Sequence, residues 1–189
     1  MFMLGENRER KKMIYVEHYT SPLGGITMAG SKEALTGLWF DGQKYFGDTL
    51  PEKYEIKELP VFTETKRWLD IYFEGKVPDF TPPLLLESTP FRKEVWEILL
   101  SIPYGQTMTY GEIAQRIAQK RKRLRMSAQA VGGAVGHNPI SIIVPCHRVV
   151  GAKGNLTGYA GGIEKKIGLL TLEKVIGLEL SISKNGTAL

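Results

Sequence analysis

The sequence predicts a mixed α/β (α+β) chain in two parts: a small strand-rich unit carrying one helix, followed by a basic, helical unit. Three observations carry this. Charge is segregated: residues 1–86 hold 11 Lys/Arg against 13 Asp/Glu, a net −2, whereas residues 87–189 hold 14 against 7, a net +7. The apolar pattern changes at the same place, from strand-like alternation to helical spacing. A proline-rich stretch, KVPDFTPPLLLE (76–87), lies between the two and reads as a linker. With 42% hydrophobic and 24% charged residues in 189, the chain has material for a real core and does not have the composition of a disordered protein.

The elements follow in order. IYVEHY (14–19) alternates and is rich in β-branched and aromatic residues, SPLGG turns the chain, ITMAG continues it, and LTGLWFDGQ reads as a strand closed by Asp-Gly. Phe62, Lys66, Leu69, Tyr72 and Phe73 then mostly keep the three-and-four spacing of a helix, with Gly75 near its end. Nothing catalytic stands out in this first unit. After the linker, Thr89-Pro90 places a capping hydroxyl before a first-turn proline, and Phe91, Val95, Ile98, Leu99 and Ile102 form one apolar face. Pro103-Tyr104-Gly105 stops that helix. Thr109-Tyr110-Gly111-Glu112 fits a capping box and opens a second helix through about Ala118. Ser127 caps a third, AQAVGGAVG, which ends near Asn138-Pro139, and a last helix is expected over 162–175. There is no internal repeat. The tail after about Leu180, SISKNGTAL, carries no structural signal and reads as disordered.

Several function classes are excluded early. A single cysteine, Cys146, rules out an internal disulfide, a CxxC pair and a thiolate zinc set, and it suits a reducing compartment. No apolar run approaches the roughly 18 residues of a membrane span. The opening MFMLGENRERKK is too briefly apolar for a signal peptide, so a cytoplasmic protein is expected.

Three features point to chemistry. Arg116 to Arg125 holds six basic residues and no acid between two short helices, which is what a helix-turn-helix needs on a phosphate backbone, although a solvated face has the same composition. AQAVGGAVG has almost no side-chain bulk, and its two glycines each cost about 1 kcal/mol of helix propensity against alanine. Such a helix lets its backbone approach something closely, either another helix or a nucleic-acid groove. The third feature is IIVPCHRVVG (142–151), where Cys146 precedes His147. A thiol with an ordinary pKa near 8.5 is a few per cent thiolate at neutral pH, so a nucleophilic role needs a base, and the base needs an orienting acceptor. Glu173 and Glu112 are the candidate carboxylates.

PCHRV, preceded by AVGGAVGHNP and followed by GYAGG, resembles the active-site signature of the O6-alkylguanine-DNA alkyltransferases (methylated-DNA–protein-cysteine methyltransferases). TPFRKEVWEILLSIPYGQTMTYGEIA is similar to that family's DNA-binding segment, and SPLGGITMAG…LTGLWFDG resembles its first domain more loosely. The resemblance implies a small ribonuclease H-like α/β domain over 1–86, and a winged helix-turn-helix-like DNA-binding and catalytic domain over 87–189. It implies a single transfer of the alkyl group from O6-alkylguanine, and from O4-alkylthymine, in duplex DNA to Cys146. His147 would be the base acting through a water, Glu173 its orienter, Asn138 the brace of the turn, and Tyr110 the group that aids flipping and the leaving guanine. Tyr159, Val149, Ala160, Gly161 and Val135 would form the pocket of the flipped base. Gln129, Ser127, Ala128, Gly132, Arg148, Arg123 and Arg125 would face DNA, with the small helix in the minor groove. No cofactor or metal is implied, no obligate protein partner, no membrane, and a monomer.

Two positions depart from the family pattern: Gln129 stands where the family usually has an arginine, and Ala160 where it often has a serine. Neither removes the nucleophile; Gln129 bears on DNA binding and base flipping, which would lean more on the neighbouring basic run, and Ala160 on alkyl or base preference. Cysteine-dependent acyl transfer would use the same Cys-His-carboxylate set but leaves the basic helix-turn-helix without a role. A non-enzymatic DNA lesion-binding or regulatory protein with a redox or structural cysteine accounts for the basic half but leaves His147, Tyr110 and Glu173 as coincidence.

Overall fold

A computed structural model describes residues 13–175; the first twelve residues and the expected disordered tail lie outside the described residues. The first unit is a four-stranded sheet of order β3-β2-β1-β4. β1 (Tyr15–Ser21) and β2 (Gly24–Gly30) form an antiparallel hairpin, β3 (Leu35–Phe40) adds antiparallel to β2, and the two-residue β4 (Glu55–Ile56) pairs parallel with β1. Alternation in these strands sends Ile26, Met28, Leu38 and Phe40 inward, where α1 (Pro60–Phe73) covers them with Phe62, Leu69 and Tyr72. Burial of such side chains, about 1.5–3 kcal/mol each, is what holds α1 to the sheet.

The proline-rich linker is not a free tether. Leu35 N–H donates to Pro83 O and Leu85 N–H to Leu35 O, both at 2.8 Å, so the segment runs along the outer edge of β3. The same edge, further along, takes a piece of the second unit: Leu38 N–H donates to Pro139 O and Ser141 N–H to Leu38 O, again at 2.8 Å. An edge strand is a row of unpaired backbone groups; here those groups fix the chain seven residues before Cys146.

The second unit packs α2 (Pro90–Leu100), α3 (Tyr110–Lys120) and α4 (Ala128–Gly136) around Val95, Trp96, Leu99, Ile113, Ile117 and Val131. Each cap expected from sequence is formed: Thr89 accepts from Arg92 N–H, the Thr109/Glu112 box closes both ways, and Ser127 accepts from Ala130 N–H. The Glu112 carboxylate is thereby committed to Thr109 N–H and Oγ at 2.7 and 2.8 Å, which removes it from the choice of orienting acid. A short parallel pair, β5 (Met108–Thr109) with β6 (Val149–Val150), joins the start of α3 to the segment after the cysteine. The last helix, α5 (Ile163–Leu172), is shorter than its apolar pattern suggested: it ends one residue before Glu173, which becomes the C-cap. One continuous apolar core runs from the sheet through to Val144 and Cys146.

Candidate active site

The cysteine loop is held by one side chain. Asn138 Nδ2 donates to Ile140 O (3.1 Å), Val144 O (2.8 Å) and Cys146 Sγ (3.1 Å), while its Oδ1 accepts Ile140 N–H at 3.0 Å. Inside the turn so braced, Ile142 sits at φ 68°, an outlier for a β-branched residue that the loop must over-determine. Pro145 then leads into a 3-10 turn, Cys146–Arg148, in which the thiol and the imidazole are both buried.

His147 is wholly buried, with Nε2 2.7 Å from Glu173 Oε1. The carboxylate receives four further donors: Tyr72 Oη (2.7 Å) from α1, Gly105 N–H (3.2 Å), and Arg148 Nε (2.9 Å) and Nη2 (3.0 Å). Burial would raise the Glu173 carboxyl, but the bonds to His147 and Arg148 outweigh it and bring it down to about 2. Burial pushes the His147 imidazole down, against Glu173. The imidazole is therefore neutral, and Arg148 is the cation that keeps Glu173 ionised. An ionised carboxylate only accepts, so Nε2 carries the hydrogen and Nδ1 keeps its lone pair. Nδ1 is buried and has no hydrogen-bond partner among the described residues. Burial also pushes the Cys146 thiol up, against the Asn138 bond and the Lys166 charge, so the resting group is the thiol.

Cys146 opens onto a cavity of about 310 Å³. Tyr110, Val135, Tyr159 and Ala160 line its interior, together with Thr157 and Gly158, and α4 supplies Ala128, Gln129, Gly132 and Gly136 at its side. Tyr110 Oη donates to Gly158 O at 3.2 Å, and burial, with the Cys146 charge, pushes it up to about 12. The Tyr159 hydroxyl is buried close to the Ser141 side chain. Arg123 and Arg125 stand exposed in the loop before α4, flanking a fully exposed Leu124. In the same basic run, Lys120 and Arg121 are paired with Glu97 and Glu94 of α2.

Three expected site residues lie elsewhere. Arg148 is not at a DNA-facing surface: it is 9% exposed, forked onto Glu173 and bound to Ile102 O at 2.6 Å through Nη1. Val149 does not line the cavity; its side chain is buried and its carbonyl is taken by Lys166 Nζ at 2.6 Å. Gly161 lies outside the cavity wall, packed so tightly that a Cβ there would come 2.7 Å from the Tyr159 ring. Four residues were missed. Tyr72 reads from sequence as an apolar helix position, yet its hydroxyl reaches Glu173. Lys166, wholly buried, ties α5 to Val149 O, Thr157 O (2.8 Å) and Gly158 O (3.5 Å), and burial, against the Cys146 charge, brings its ammonium down to about 8. Lys44 and Tyr45 come from the strand-rich unit and line the cavity. Only Lys166, a charge amid the apolar positions of α5, left any signal in the pattern.

The family model described as the 6-O-methylguanine DNA methyltransferase DNA-binding domain matches residues 90–175, and the one described as that protein's ribonuclease-like domain matches 14–86. The chain belongs to the 6-O-methylguanine DNA methyltransferase family. It is 45% identical over 163 residues to the methylated-DNA–protein-cysteine methyltransferase of Mycobacterium bovis, covering 86% of this chain and 93% of the relative. The Haemophilus influenzae protein of the same name is 41% identical, over 86% of this chain and 87% of the relative. A solved structure of Mycobacterium tuberculosis OGT in complex with DNA superposes with a TM-score of 0.73 at 43% identity, covering 85% of this chain and 92% of that one. An O6-methylguanine DNA methyltransferase structure from Methanococcus jannaschii gives 0.57 at 26% identity, over 89% and 99%. Membership makes this protein a DNA repair methyltransferase that reverses alkylation by direct transfer, with DNA as its partner.

Proposed function

We propose that Cys146 accepts the alkyl group of an O6-alkylguanine turned out of duplex DNA into the 310 Å³ cavity, once per protein molecule. The observation that carries this is the buried Nδ1 of a neutral His147, unpartnered among the described residues and next in sequence to a buried thiol, with Nε2–H anchored on Glu173. A water between Nδ1 and Sγ passes the thiol proton to the imidazole. The thiolate attacks the alkyl carbon, the C–O bond breaks as the C–S bond forms, and the guanine anion departs and is protonated by solvent. Tyr110, held neutral well past pH 7, turns its one hydroxyl hydrogen from Gly158 O to the departing ring. The thioether formed is not hydrolysable as an acyl thioester is, so the site is spent. O4-alkylthymine is the second substrate of the same cavity.

The α4 surface supports a groove-bound DNA. A Cβ at Gly133 would meet nothing within 4 Å, and one at Gly132 only ordinary contact with Tyr110, so internal packing does not require either glycine. Close approach by an outside body is the remaining reason for a helix without bulk, and the minor groove fits it. Ser127, Ala128, Gln129 and Gly132 would face that groove, with Gln129 filling the gap left by the flipped nucleotide and Arg123 and Arg125 on phosphates. Extruding a base costs a few kcal/mol, which these contacts offset. The protein is read as acting as a cytoplasmic monomer with domain limits near 86/87.

The test is the intact mass after mixing with a duplex carrying one O6-methylguanine, followed by peptide mapping. One added methyl group per protein, on the peptide containing Cys146, is expected. Tight binding to the duplex with no mass shift would contradict the proposal and favour a lesion-binding protein.

A further inference from the structure

Two cavity residues come from the strand-rich unit, and the transfer mechanism leaves them without a role. We infer that Tyr45 is a specificity-determining residue whose ring limits the size of the O6 substituent that the Cys146 cavity admits; this rests on the reading of Cys146 as the alkyl acceptor. The loop after β3 that carries Tyr45 is tied to both units. Gln43, itself buried, accepts Phe40 N–H at 2.9 Å and the Ser141 hydroxyl at 3.1 Å on the same Oε1. Lys44 N–H donates to Ala160 O at 2.9 Å, which fastens the loop to the cavity wall. Tyr45 then sits at φ 61°, a conformation uncommon for a residue other than glycine and kept only where the surroundings enforce it.

The enforcing contact is a stack. The Tyr45 ring lies on the His137 imidazole, with centroids 3.9 Å apart and planes 24° from parallel. The Lys44 ammonium stands 4.9 Å from the same centroid. With an imidazole on it and an ammonium against it, the ring is a fixed wall and not a free face for stacking on substrate. It closes the space between Ala160 and the end of α4, where a Cβ at Gly136 would lie 3.8 Å from Tyr45 Cε2. For its carbon to be attacked, an O6 substituent must lie against Cys146 in this cavity. A methyl group ends at the attacked carbon; anything longer continues past it, toward the walls that Tyr45 helps to form.

Single-turnover transfer rates from duplexes carrying O6-methylguanine or O6-benzylguanine test this in wild type, Tyr45→Gly and Tyr45→Phe. Glycine accepts the positive φ without strain. Tyr45→Gly should raise the benzyl-to-methyl rate ratio by about tenfold or more while the methyl rate stays within about threefold, the scale on which a pocket distinguishes one carbon group. Tyr45→Phe should change neither rate. Circular dichroism and binding to the methylated duplex verify the fold, and Tyr45→Asn, which also tolerates this conformation, replaces the glycine variant if that one does not fold. An unchanged ratio in a folded variant, or a parallel loss of both rates, overturns the assignment to Tyr45 alone. A wild-type protein that transfers neither group overturns the acceptor reading beneath it.

Discussion

The two nitrogens of His147 stand in opposite surroundings. Nε2 faces a carboxylate that collects five donors from α1, a turn, the cysteine segment and its own arginine neighbour. Nδ1 has none among the described residues. The difference separates two tasks that one imidazole must perform. On the Glu173 side every polar atom is fixed, so tautomer and ring orientation are settled before substrate arrives. At Nδ1 a lone pair is left open, which costs stability but is the only state in which a base can take a proton. The outer surface repeats this contrast: the buried network is bound by both units, whereas α4 exposes Gly133, whose Cβ would meet no described residue within 4 Å.

Removing the reagent gives the largest effect. Cys146→Ser should abolish transfer in the intact-mass assay and retain binding to the alkylated duplex in gel-shift titrations, because the cavity and α4 are untouched. Next comes the crowded side of His147. Glu173→Gln leaves the Arg148 charge buried and unpaired, so denaturant unfolding should show a loss of about 3–5 kcal/mol, and the transfer rate should fall with it. Tyr72→Phe removes one of the five donors to an ionised carboxylate and should cost about 1.5–3 kcal/mol in the same assay.

Acid titration sharpens the comparison further. The folded-state Glu173 carboxyl is depressed to about 2 from an ordinary value of 4.5. Its contribution is thus complete above the unfolded value and is lost as pH falls from about 4.5 through about 2. Wild type should lose stability over that window, and Glu173→Gln should lack this share of the loss. The smallest effect is expected on the open surface. Gly133→Ala should stabilise the fold by up to about 1 kcal/mol through helix propensity while weakening duplex binding. Equal binding would show that the glycine is not kept for the DNA.

Much of this was legible in the sequence. The capping residues Thr89, Thr109 and Ser127 each declare a helix start through local chemistry, and Asn138 and Glu173 could be named because the PCHRV segment resembles a known signature. What could not be read depends on contacts between distant segments. Arg148 looks like a surface cation in a basic half, and only the fold brings Glu173 back across 25 residues to neutralise it. Tyr72 satisfies a helical apolar pattern equally well with or without a use for its hydroxyl. Tyr45 lies in a loop with no periodicity, and its place in the cavity follows from Gln43 bonding across the units and from a backbone angle that sequence pattern does not encode. Val149 and Gly161 fail for the opposite reason: the signature is local, and the exact wall depends on Lys166 and Tyr159 packing behind it.

The asymmetry of His147 is the centre of this account, and nitrogen-15 NMR of the imidazoles tests it directly. With only three histidines in the chain, comparison with a His147→Gln variant assigns the ring. At pH 7 the expected result is a neutral His147 with its hydrogen on Nε2 and an unprotonated Nδ1. A hydrogen on Nδ1, or a doubly protonated ring at that pH, would contradict this asymmetry, because no lone pair would then be free to take the thiol proton.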